Sequence, residues 1–428
     1  MTADIILKTF VPMKIQRTIP PTAAPLKAGD IIHGLGGLLN PRKYRNNLEQ
    51  ELKDYFHVKH VFPVSSGKAA LTIILCALKS LSPNKRQVLL PAYTCFSVPS
   101  AVVKSGLEVA LCDMDVDTYD YNHRLLQDAV NSDTLCVVSG NLFGIPSDID
   151  RIVDVCRGKG IYVVEDAAQA MGCRHKNRLI GTIADVGFYS LGRGKNITCG
   201  SGGIIITNSD IIASAVNTMY NQLAEPRFLE NIREFLKAIL LGLFIRPSLY
   251  WFPAGLPFLK LGETFFYRDF PVERLSGMKA GILRNWRRRL EEYNRKRKEN
   301  AAYYCGALQL ESRPGINAAT ALLRFPVMAD NREMRDNIIA SSSKRGLGIS
   351  RMYPTPINVI DEIKGSFSGQ EYPAARMLSE CLFTVPIHPL LRERERRTIC
   401  ELVGQLTGSS EYYCGRNHRI AVGASKTR

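Results

Sequence analysis

The sequence has few of the features that mark secreted, metal-binding or membrane-spanning proteins. Its 11 cysteines are scattered singly from Cys76 to Cys414 without a C-x-x-C pair, which indicates reduced thiols and a cytoplasmic location. The seven histidines form no ligand-spaced cluster with cysteines, so no metal site is expected. Residues 1–21 lack a signal-peptide core. No apolar run reaches the roughly 18 residues that a membrane-spanning helix needs.

Acidic residues are also scarce relative to basic ones. The chain has 56 Lys and Arg against 40 Asp and Glu, a formal charge of +16. This balance favours phosphorylated or anionic partners. Because no zinc finger, RNP signature or other nucleic-acid motif is present, nucleic acid is not expected as a partner. A phosphate-bearing cofactor, a nucleotide-linked substrate and an anionic membrane surface remain open.

The 428 residues favour two domains, and the pattern between residues 61 and 207 predicts an α/β fold. Short apolar runs alternate there with helical patterns, which is typical of a largely parallel sheet covered by helices. The predicted strands are Gln87–Leu90, Val109–Cys112, Leu135–Ser139, Ile161–Val164, Val186–Ser190 and Gly203–Thr207. The predicted helices between them are Lys68–Leu81, Ser97–Ser105, Tyr121–Val130 and Asp148–Lys159.

Changes in composition predict six consecutive segments. They are an irregular N-terminal arm (1–30), a large α/β domain (31–225), an apolar and aromatic insertion (226–270), a long basic connecting helix (271–305), a smaller C-terminal α/β domain (306–410) and a loose basic tail (411–428). In the smaller domain, the pattern predicts strands over Leu322–Val327 and Leu382–Val385 and helices over 331–345 and 392–406.

The insertion has two interpretations. Its apolar core, Ala238–Ile245, is too short to span a bilayer. We favour a buried helix or a subunit contact. The alternative is peripheral membrane contact through residues 234–260, with Arg233, Lys237, Arg246 and Lys260 beside the headgroups.

Lys195 is the main candidate for catalysis. It lies among glycines, five positions after Ser190, and a lysine amine can bond a carbonyl covalently when its pKa is lowered. Upstream, an apolar strand ends in Glu165-Asp166, and Gln169 follows. A carboxylate there can keep a pyridine nitrogen protonated, although, taken alone, Asp166 is better explained as the cap of the next helix.

A serine–glycine turn, Ser66-Gly67-Lys68, opens a predicted helix after an apolar run. Free N–H groups at such a helix start suit a phosphate, although an ordinary helix cap explains the turn equally well. The Gly194-Lys195 pair is not a P-loop, because Asn196 follows where a Ser or Thr is required.

Taken in order, these motifs resemble the DegT/DnrJ/EryC1/StrS family of sugar aminotransferases, which have the fold type I pyridoxal phosphate (PLP) architecture. The ordered set is Ser66-Gly67, Asp166-x-x-Gln169 and Ser190-x4-Lys195-Asn196, followed by a Gly-Ser-Gly-Gly run. The resemblance implies a mostly parallel, seven-stranded type of sheet in the large domain and a smaller C-terminal α/β domain.

By position, the resemblance also implies roles for individual residues. Lys195 binds the cofactor covalently and moves a proton, and Asp166 pairs with the pyridine nitrogen. Gln169 lies against the ring or its phenolic oxygen. Ser190 and the backbone of Gly67 and Lys68 hold the phosphate. The remaining implied cofactor contacts are Ser66, Tyr93, Phe96 and Asn196.

The implied activity is amino transfer, with glutamate as donor and a keto sugar, nucleotide-linked, as acceptor, in cell-surface polysaccharide or amino-sugar biosynthesis. A homodimer is also implied. Four positions depart from the family pattern: Lys68 replaces a Thr or Ser, Cys95 a ring-stacking aromatic, Asn141 a frequent histidine, and the region of Val272 an asparagine. The insertion at 226–270 is also unusual for the family. These departures keep an alternative open, a catalytically quiet relative that binds PLP or a sugar nucleotide and regulates or scaffolds polysaccharide assembly.

Overall fold

The computed structural model describes residues 15–308 and 320–406, and a seven-stranded sheet lies at its centre. The strands of the described chain are β1 His60–Val64, β2 Gln87–Pro91, β3 Glu108–Cys112, β4 Thr134–Gly140, β5 Tyr162–Asp166, β6 Arg174–His175, β7 Arg178–Leu179, β8 Val186–Ser190, β9 Gly203–Thr207, β10 Phe325–Met328 and β11 Leu382–Val385. The central sheet has the order β1-β9-β8-β5-β4-β2-β3.

The central sheet is parallel from β3 to β8, and only β9 runs against its neighbours β8 and β1. The predicted, largely parallel α/β sheet is therefore confirmed, and the six predicted strands are present with ends shifted by a few residues. The edge strand β1 was not predicted. Strands β4 and β9 are buried along their whole length, as expected when helices cover both faces of a sheet.

Helices cover the sheet on both sides. They are α1 Ala28–Leu39, α2 Pro41–Phe56, α3 Gly67–Leu81, α4 Ser97–Lys104, α5 His123–Ala129, α6 Ile149–Cys156, α7 Asp210–Gln222, α8 Phe228–Phe244, α9 Trp251–Ala254, α10 Gly277–Ile282, α11 Trp286–Ala307, α12 Arg332–Arg345, α13 Pro373–Cys381 and α14 Glu393–Leu406. Successive strand residues point to opposite faces: Leu90 packs with α3, whereas Leu89 packs with α5 and α6.

The helix α1 was not predicted: its four glycines lower helix propensity, and the sequence predicts an irregular arm up to residue 30. The structure explains one of these glycines, Gly37, together with Gly281 of α10. Side chains at Gly37 and Gly281 would collide with the facing backbone of Gly277 and His33, so their absence lets α1 and α10 pack closely. The arm is irregular only from residue 15 to 27, and residues 1–14 lie outside the described chain.

The expectation of a single long helix over 276–305 is wrong. Helix α10 ends at Ile282, and α11 begins at Trp286 after a tight turn in which the Trp286 N–H donates to the carbonyl of Leu283. The break has a packing reason. It lets α10 lie against α1 and α2, while the side chain of Trp286 is buried against Phe56.

The C-terminal part contains the two-stranded antiparallel sheet of β10 and β11, with α12, α13 and α14. The prediction for β11 and for the two helices is confirmed, whereas the predicted strand at 322–327 begins only at Phe325. The predicted tail, 411–428, lies outside the described residues.

The insertion at 226–270 contains α8 and α9. Only Phe235 and Ala238 of α8 are buried, so the expectation of a buried helix is wrong for the single chain. The outward face of α8 is apolar and exposed, with Leu229, Leu236, Leu240 and Leu243 along it. Among the described helices, none combines the length and hydropathy needed to cross a membrane.

Candidate active site

The side chain of Lys195 lies in a charged but partly desolvated environment. The loop between β8 and β9 carries it past the end of β8. Burial lowers the pKa of Lys195, and the guanidinium of Arg324 lowers it further, whereas Cys95 and Asp166 act in the opposite direction. A lysine in this environment has more of its amine in the neutral, nucleophilic form than a solvated lysine has.

Buried hydrogen bonds fix the backbone of the Lys195 loop. Arg297, which is fully buried on α11, donates to the carbonyl of Asn196 over 3.0 Å and to that of Lys195 over 3.4 Å. The Thr22 hydroxyl of the N-terminal arm donates to the carbonyl of Gly194 over 3.1 Å. Gly194 has φ 74°, a left-handed conformation that favours glycine. The loop is therefore held from two sides.

Asp166 ends β5 next to β8, and its carboxylate lies within electrostatic range of Lys195. Burial raises the pKa of Asp166, while the N–H of Ala168, which donates over 3.0 Å, and the charge of Lys195 oppose this shift. The carbonyl of Asp166 accepts a bond of 3.0 Å from the amide of Asn141. No Lys or Arg of the described chain forms an ion pair with Asp166, so the site fits an added cation such as a protonated pyridine nitrogen.

The neighbouring carboxylate, Glu165, has a structural role. It is buried and accepts hydrogen bonds of 2.6–2.7 Å from the backbone N–H groups of Gly181, Ile183 and Ala184. The two carboxylates of the predicted Glu165-Asp166 pair thus point to opposite faces of β5, as successive strand residues must.

Gln169 belongs to a buried network that the sequence analysis did not foresee. Its side-chain oxygen accepts from the N–H of Phe143 over 3.1 Å, and its nitrogen donates to the hydroxyl of Tyr353 over 2.8 Å. The N–H of Tyr353 in turn donates to the hydroxyl of Tyr93 over 3.2 Å. No motif of the C-terminal part had pointed to Tyr353.

The start of α3 forms a small cradle with the end of β8. The Ser66 hydroxyl caps α3 by accepting from the N–H of Ala69 over 3.1 Å, while the N–H groups of Gly67 and Lys68 lie in the first turn, where helices leave donors free. A Cβ at Gly67 would come within 2.9 Å of the Cβ of Ser190. A glycine, a hydroxyl and a helix start therefore meet at one point, which suits a phosphate.

The side chain of Lys68 contacts the insertion. Its ammonium lies 4.6 Å from the centre of the Tyr267 ring and 4.4 Å from that of Phe270. Burial lowers the pKa of Lys68, and Cys95 opposes the shift. The thiol of Cys95 also lies 3.6 Å from the hydroxyl of Thr264. The last part of the insertion, residues 264–270, therefore lies beside the cradle, which the sequence had not indicated.

Two other predicted cofactor contacts, Phe96 and Asn196, are held by neighbouring parts of the fold. The ring of Phe96 is buried in the main hydrophobic core just before α4. The amide nitrogen of Asn196 donates to Asn294 of α11 over 3.4 Å, which turns it towards that helix. Their roles at a cofactor stay predictions.

One group of possible metal ligands lies elsewhere in the described chain. The side-chain ligand atoms of Asp148, Asp150 and His175 lie within 4.8 Å of one another. Asp150 is already paired with Lys176 and Arg178, and the hydrogen bonds from these residues lower the pKa of Asp150. The negative charge that a cation would need is thus largely neutralised.

A lysine of lowered pKa beside a buried carboxylate, at the carboxyl ends of parallel strands and next to a phosphate-type cradle, defines the class of PLP-dependent enzymes. The profile of the DegT/DnrJ/EryC1/StrS aminotransferase family matches residues 35–404. The chain belongs to this family and is a PLP-dependent aminotransferase.

Two named relatives are similar to this chain over most of their length. The Pleiotropic regulatory protein of Geobacillus stearothermophilus is 23% identical over 376 residues, 85% of this chain and 89% of that protein. The dTDP-3-amino-3,4,6-trideoxy-alpha-D-glucose transaminase of Streptomyces venezuelae is 25% identical over 361 residues, 83% and 85% of the two chains. The fold is also that of Helicobacter pylori PseC, an aminotransferase of pseudoaminic acid biosynthesis, with TM-score 0.72, 16% identity and coverage of 91% and 99%.

Proposed function

We propose that this protein transfers an amino group from glutamate to a nucleotide-linked keto sugar in amino-sugar or cell-surface polysaccharide biosynthesis. The observation that carries the proposal is that the Lys195 amine and the buried Asp166 carboxylate lie within electrostatic range of each other, beyond the ends of the neighbouring strands β8 and β5. The named relatives support the sugar substrate, because the Streptomyces transaminase acts on a dTDP-linked sugar according to its name.

The residues present fit PLP. Asp166 would face the pyridine nitrogen, because within the described residues its carboxylate forms no ion pair with a Lys or Arg. Ser190, the hydroxyl of Ser66 and the N–H groups of Gly67 and Lys68 would hold the phosphate. Gln169, Tyr93, Phe96 and Asn196 would complete the surroundings of the ring. When bound, the protonated cofactor withdraws electrons from the substrate carbon that carries the nitrogen.

Lys195 would act as the base and acid of the reaction. Its lowered pKa increases the fraction of neutral amine at neutral pH, and the neutral amine can accept a proton from a bound substrate and return it elsewhere. The bonds from Arg297 to the carbonyls of Asn196 and Lys195 would keep this amine in position while it is not covalently bound.

The visible absorption spectrum of the purified protein tests the proposal. Wild-type protein should show the band of lysine-bound PLP, and glutamate should convert that band to the amine form of the cofactor. Lys195→Ala should lack the band, whereas Lys159→Ala, at an exposed position after α6, should retain it. Absence of the band from wild-type protein, or its persistence in Lys195→Ala, would contradict the proposal.

A catalytically quiet role is the second candidate. It is motivated by the contact of Lys68 with Tyr267 and Phe270, at a position where the family resemblance implies a hydroxyl, and by the regulatory name of the Geobacillus relative. The same spectrum separates the two. A lysine-bound band that no amino donor converts would favour the quiet role.

We further propose a homodimer in the cytoplasm, with peripheral membrane contact through residues 234–260. Membrane contact is supported by the exposed leucines along α8 and by the exposed cations beside them, Arg233 and Lys237. An apolar helix face flanked by basic residues binds the interface of an anionic bilayer.

Light scattering after size exclusion tests the dimer, because a mass of one chain would exclude it.

A further inference from the structure

The C-terminal part of the chain contains a cavity whose charged lining is mostly arginine, and the proposed reaction gives this cavity no role. It lies between the start of α12, the helix α13 and the loop 351–359, has a volume of about 280 Å³ and is partly open to solvent. Glu380 is the one acidic side chain among the described residues that line it. The basic side chains of the lining are Arg332, Arg335, Arg351 and Arg376. The cavity is therefore a candidate site for an anion.

The loop 351–359 separates this cavity from the candidate active site. Tyr353 does not line the cavity, and its hydroxyl accepts a hydrogen bond from Gln169 instead. Pro354, Pro356 and Asn358 of the same loop form part of the cavity wall. This wall includes none of the described residues that would hold PLP. A ligand in the cavity would therefore occupy a site of its own.

Two buried polar atoms in the cavity wall have no hydrogen-bond partner. Arg335 is 2% exposed, and its Nη1 donates to the carbonyl of Ser379 over 2.8 Å, which fixes the guanidinium. Its Nε makes no hydrogen bond to a described residue, although an oxygen of Asp336 lies 2.7 Å away. The Oδ1 of Asn358 is also buried and unpaired. Because buried polar atoms are almost always hydrogen-bonded in native proteins, these two atoms indicate a missing partner.

Two of the arginines have no acidic partner. Asp336 lies 2.7 Å from Arg335 and 3.7 Å from Arg332, and so neutralises part of their charge. Arg351 and Arg376 are exposed, and neither forms an ion pair within the part of the chain that the structure describes. A cleft with an excess of one charge concentrates counter-ions, so the potential here favours a ligand with two negative charges.

The elements that carry the arginines are held in place. Asp113, which follows β3, accepts the backbone N–H groups of Ala374 and Ala375 over 3.0 and 2.9 Å, and this ties the start of α13 to the central sheet. Helix α12 begins at Arg332, so the positive end of its dipole lies at the cavity and adds to the attraction for an anion. The cavity is thus formed before a ligand arrives.

The chemistry of the wall favours a phosphate attached to a sugar. The donor fork of arginine matches phosphate oxygens in two bonds, and a phosphate monoester carries about two negative charges near neutral pH. The unpaired Oδ1 of Asn358 needs a donor, which a sugar hydroxyl supplies. A volume of about 280 Å³ lies at the lower end of ligand pockets, and this favours a hexose phosphate over a larger nucleotide-linked sugar.

We propose that this cavity binds a sugar phosphate, with the phosphate between Arg351 and Arg376 and a sugar hydroxyl donating to Asn358. The site is separate from that of Lys195, and the inference does not depend on the proposed reaction. The diphosphate of a nucleotide-linked sugar offers similar charged groups and is the alternative source of the phosphate.

Calorimetric titration of the PLP-loaded protein with glucose 1-phosphate, in a buffer free of phosphate, tests the proposal. The bound cofactor keeps its own phosphate cradle occupied. Wild-type protein should bind glucose 1-phosphate, and Arg351→Gln and Arg376→Gln should each raise the Kd about 10-fold, as expected for loss of a charge-assisted hydrogen bond. Both side chains are exposed, so both variants should unfold at the temperature of wild type.

Two further variants test the specificity of the effect. Arg345→Gln removes the same charge from an exposed position at the end of α12, outside the cavity, and should bind glucose 1-phosphate as wild type does. Asn358→Ala should weaken the binding of glucose 1-phosphate but not that of methyl phosphate, which has the charge without a hydroxyl. Equal affinity of Asn358→Ala and wild type for glucose 1-phosphate would overturn the contact with the sugar.

Titration with UDP-glucose distinguishes the two sources of the phosphate. Its Kd should be the same for wild type and Arg376→Gln, because a nucleotide-linked sugar would enter the Lys195 site. The proposal is overturned if Arg376→Gln loses UDP-glucose binding while wild type does not bind glucose 1-phosphate, since the cavity would then hold the acceptor. It is also overturned if wild type binds no glucose 1-phosphate, or if both arginine variants bind it like wild type.

Discussion

The nitrogen of Gln169 donates a hydrogen bond of 2.8 Å to the hydroxyl of Tyr353, and both residues are buried. This bond joins the loop after β5 to the C-terminal part of the chain. Gln169 belongs to the Asp166-x-x-Gln169 motif, whereas Tyr353 lies in no recognisable motif. A wall of the site thus depends on a pairing between residues 184 positions apart.

The substitution Tyr353→Phe should destabilise the protein. It leaves the buried Gln169 nitrogen without its acceptor, and an unsatisfied buried donor costs about 1–3 kcal/mol. Urea unfolding should show this decrease in the free energy of unfolding. The control is Tyr303→Phe, at a partly buried position of α11, which should stay within about 0.5 kcal/mol of wild type. Equal stability of the two variants would argue against the bond.

Adding a methyl group at Gly67 should weaken cofactor binding. The Cβ of Gly67→Ala would lie 2.9 Å from the Cβ of Ser190, in the space where the cradle opens. We expect the Kd for PLP to rise at least about 10-fold, which corresponds to roughly 1.4 kcal/mol. Titration of the cofactor-free protein by absorbance measures it. Gly306→Ala, where a Cβ meets nothing within 4 Å, should leave the Kd unchanged, and equal Kd values for the two variants would exclude the cradle.

His388 should make stability depend on pH. Its ring is fully buried between the carbonyl of Pro20 and the N–H of Leu390, and burial lowers its pKa to about 3. In the unfolded chain its pKa is about 6.5, so the unfolded state takes up the proton first as the pH falls. The stabilising contribution is therefore present above pH 6.5 and is lost as the pH falls towards 3.

The change in the free energy of unfolding with pH can be measured by comparing wild type with His388→Gln. Between pH 6.5 and 5, the free energy of unfolding of wild type should fall by roughly 1.5–2 kcal/mol more than that of the variant. Denaturant unfolding at both pH values gives the difference. Parallel curves for the two proteins would mean that the imidazole is not neutral in the folded state.

The exposed face of α8 should bind anionic vesicles. Wild-type protein should sediment with phosphatidylglycerol vesicles at low salt and be released at high salt, because screening weakens the contribution of Arg233 and Lys237. Leu240→Glu should abolish this binding, whereas Leu125→Glu, at an exposed leucine of α5, should not. If wild-type protein ignores the vesicles while Leu240→Glu changes its oligomeric mass, the face is a subunit contact instead.

The sequence predicted the central part of the fold well because the strands there are buried on both faces. Such strands appear as short apolar runs, and the polar residues Asp166 and Ser190 mark the ends of two of them. The helix α1 was not predicted from the sequence, because glycine has a low intrinsic helix propensity. Of its glycines, Gly37 is explained by the backbone of α10, which lies more than 200 residues away in sequence.

The candidate site could be predicted only where its residues form local motifs. Lys195, Asp166 and the Ser66-Gly67 turn each lie in such a motif. Arg324 and Tyr353 do not, since their positions follow from how the C-terminal part packs against the central sheet. Likewise, the contact of Lys68 with Phe270 arises from the return of the insertion to α3, which no local pattern encodes.

The N-terminal arm also determines the order in which the site can be assembled during synthesis. Its residues emerge from the ribosome early, yet the carbonyls of Pro20 and Ala23 accept hydrogen bonds from His388 and Arg297. These late partners have to be synthesised before the arm can dock, and Thr22 of that arm holds the carbonyl of Gly194. The loop that carries Lys195 is thus fixed from the side of the arm only after most of the chain has been synthesised, so a chain truncated before His388 lacks part of that constraint.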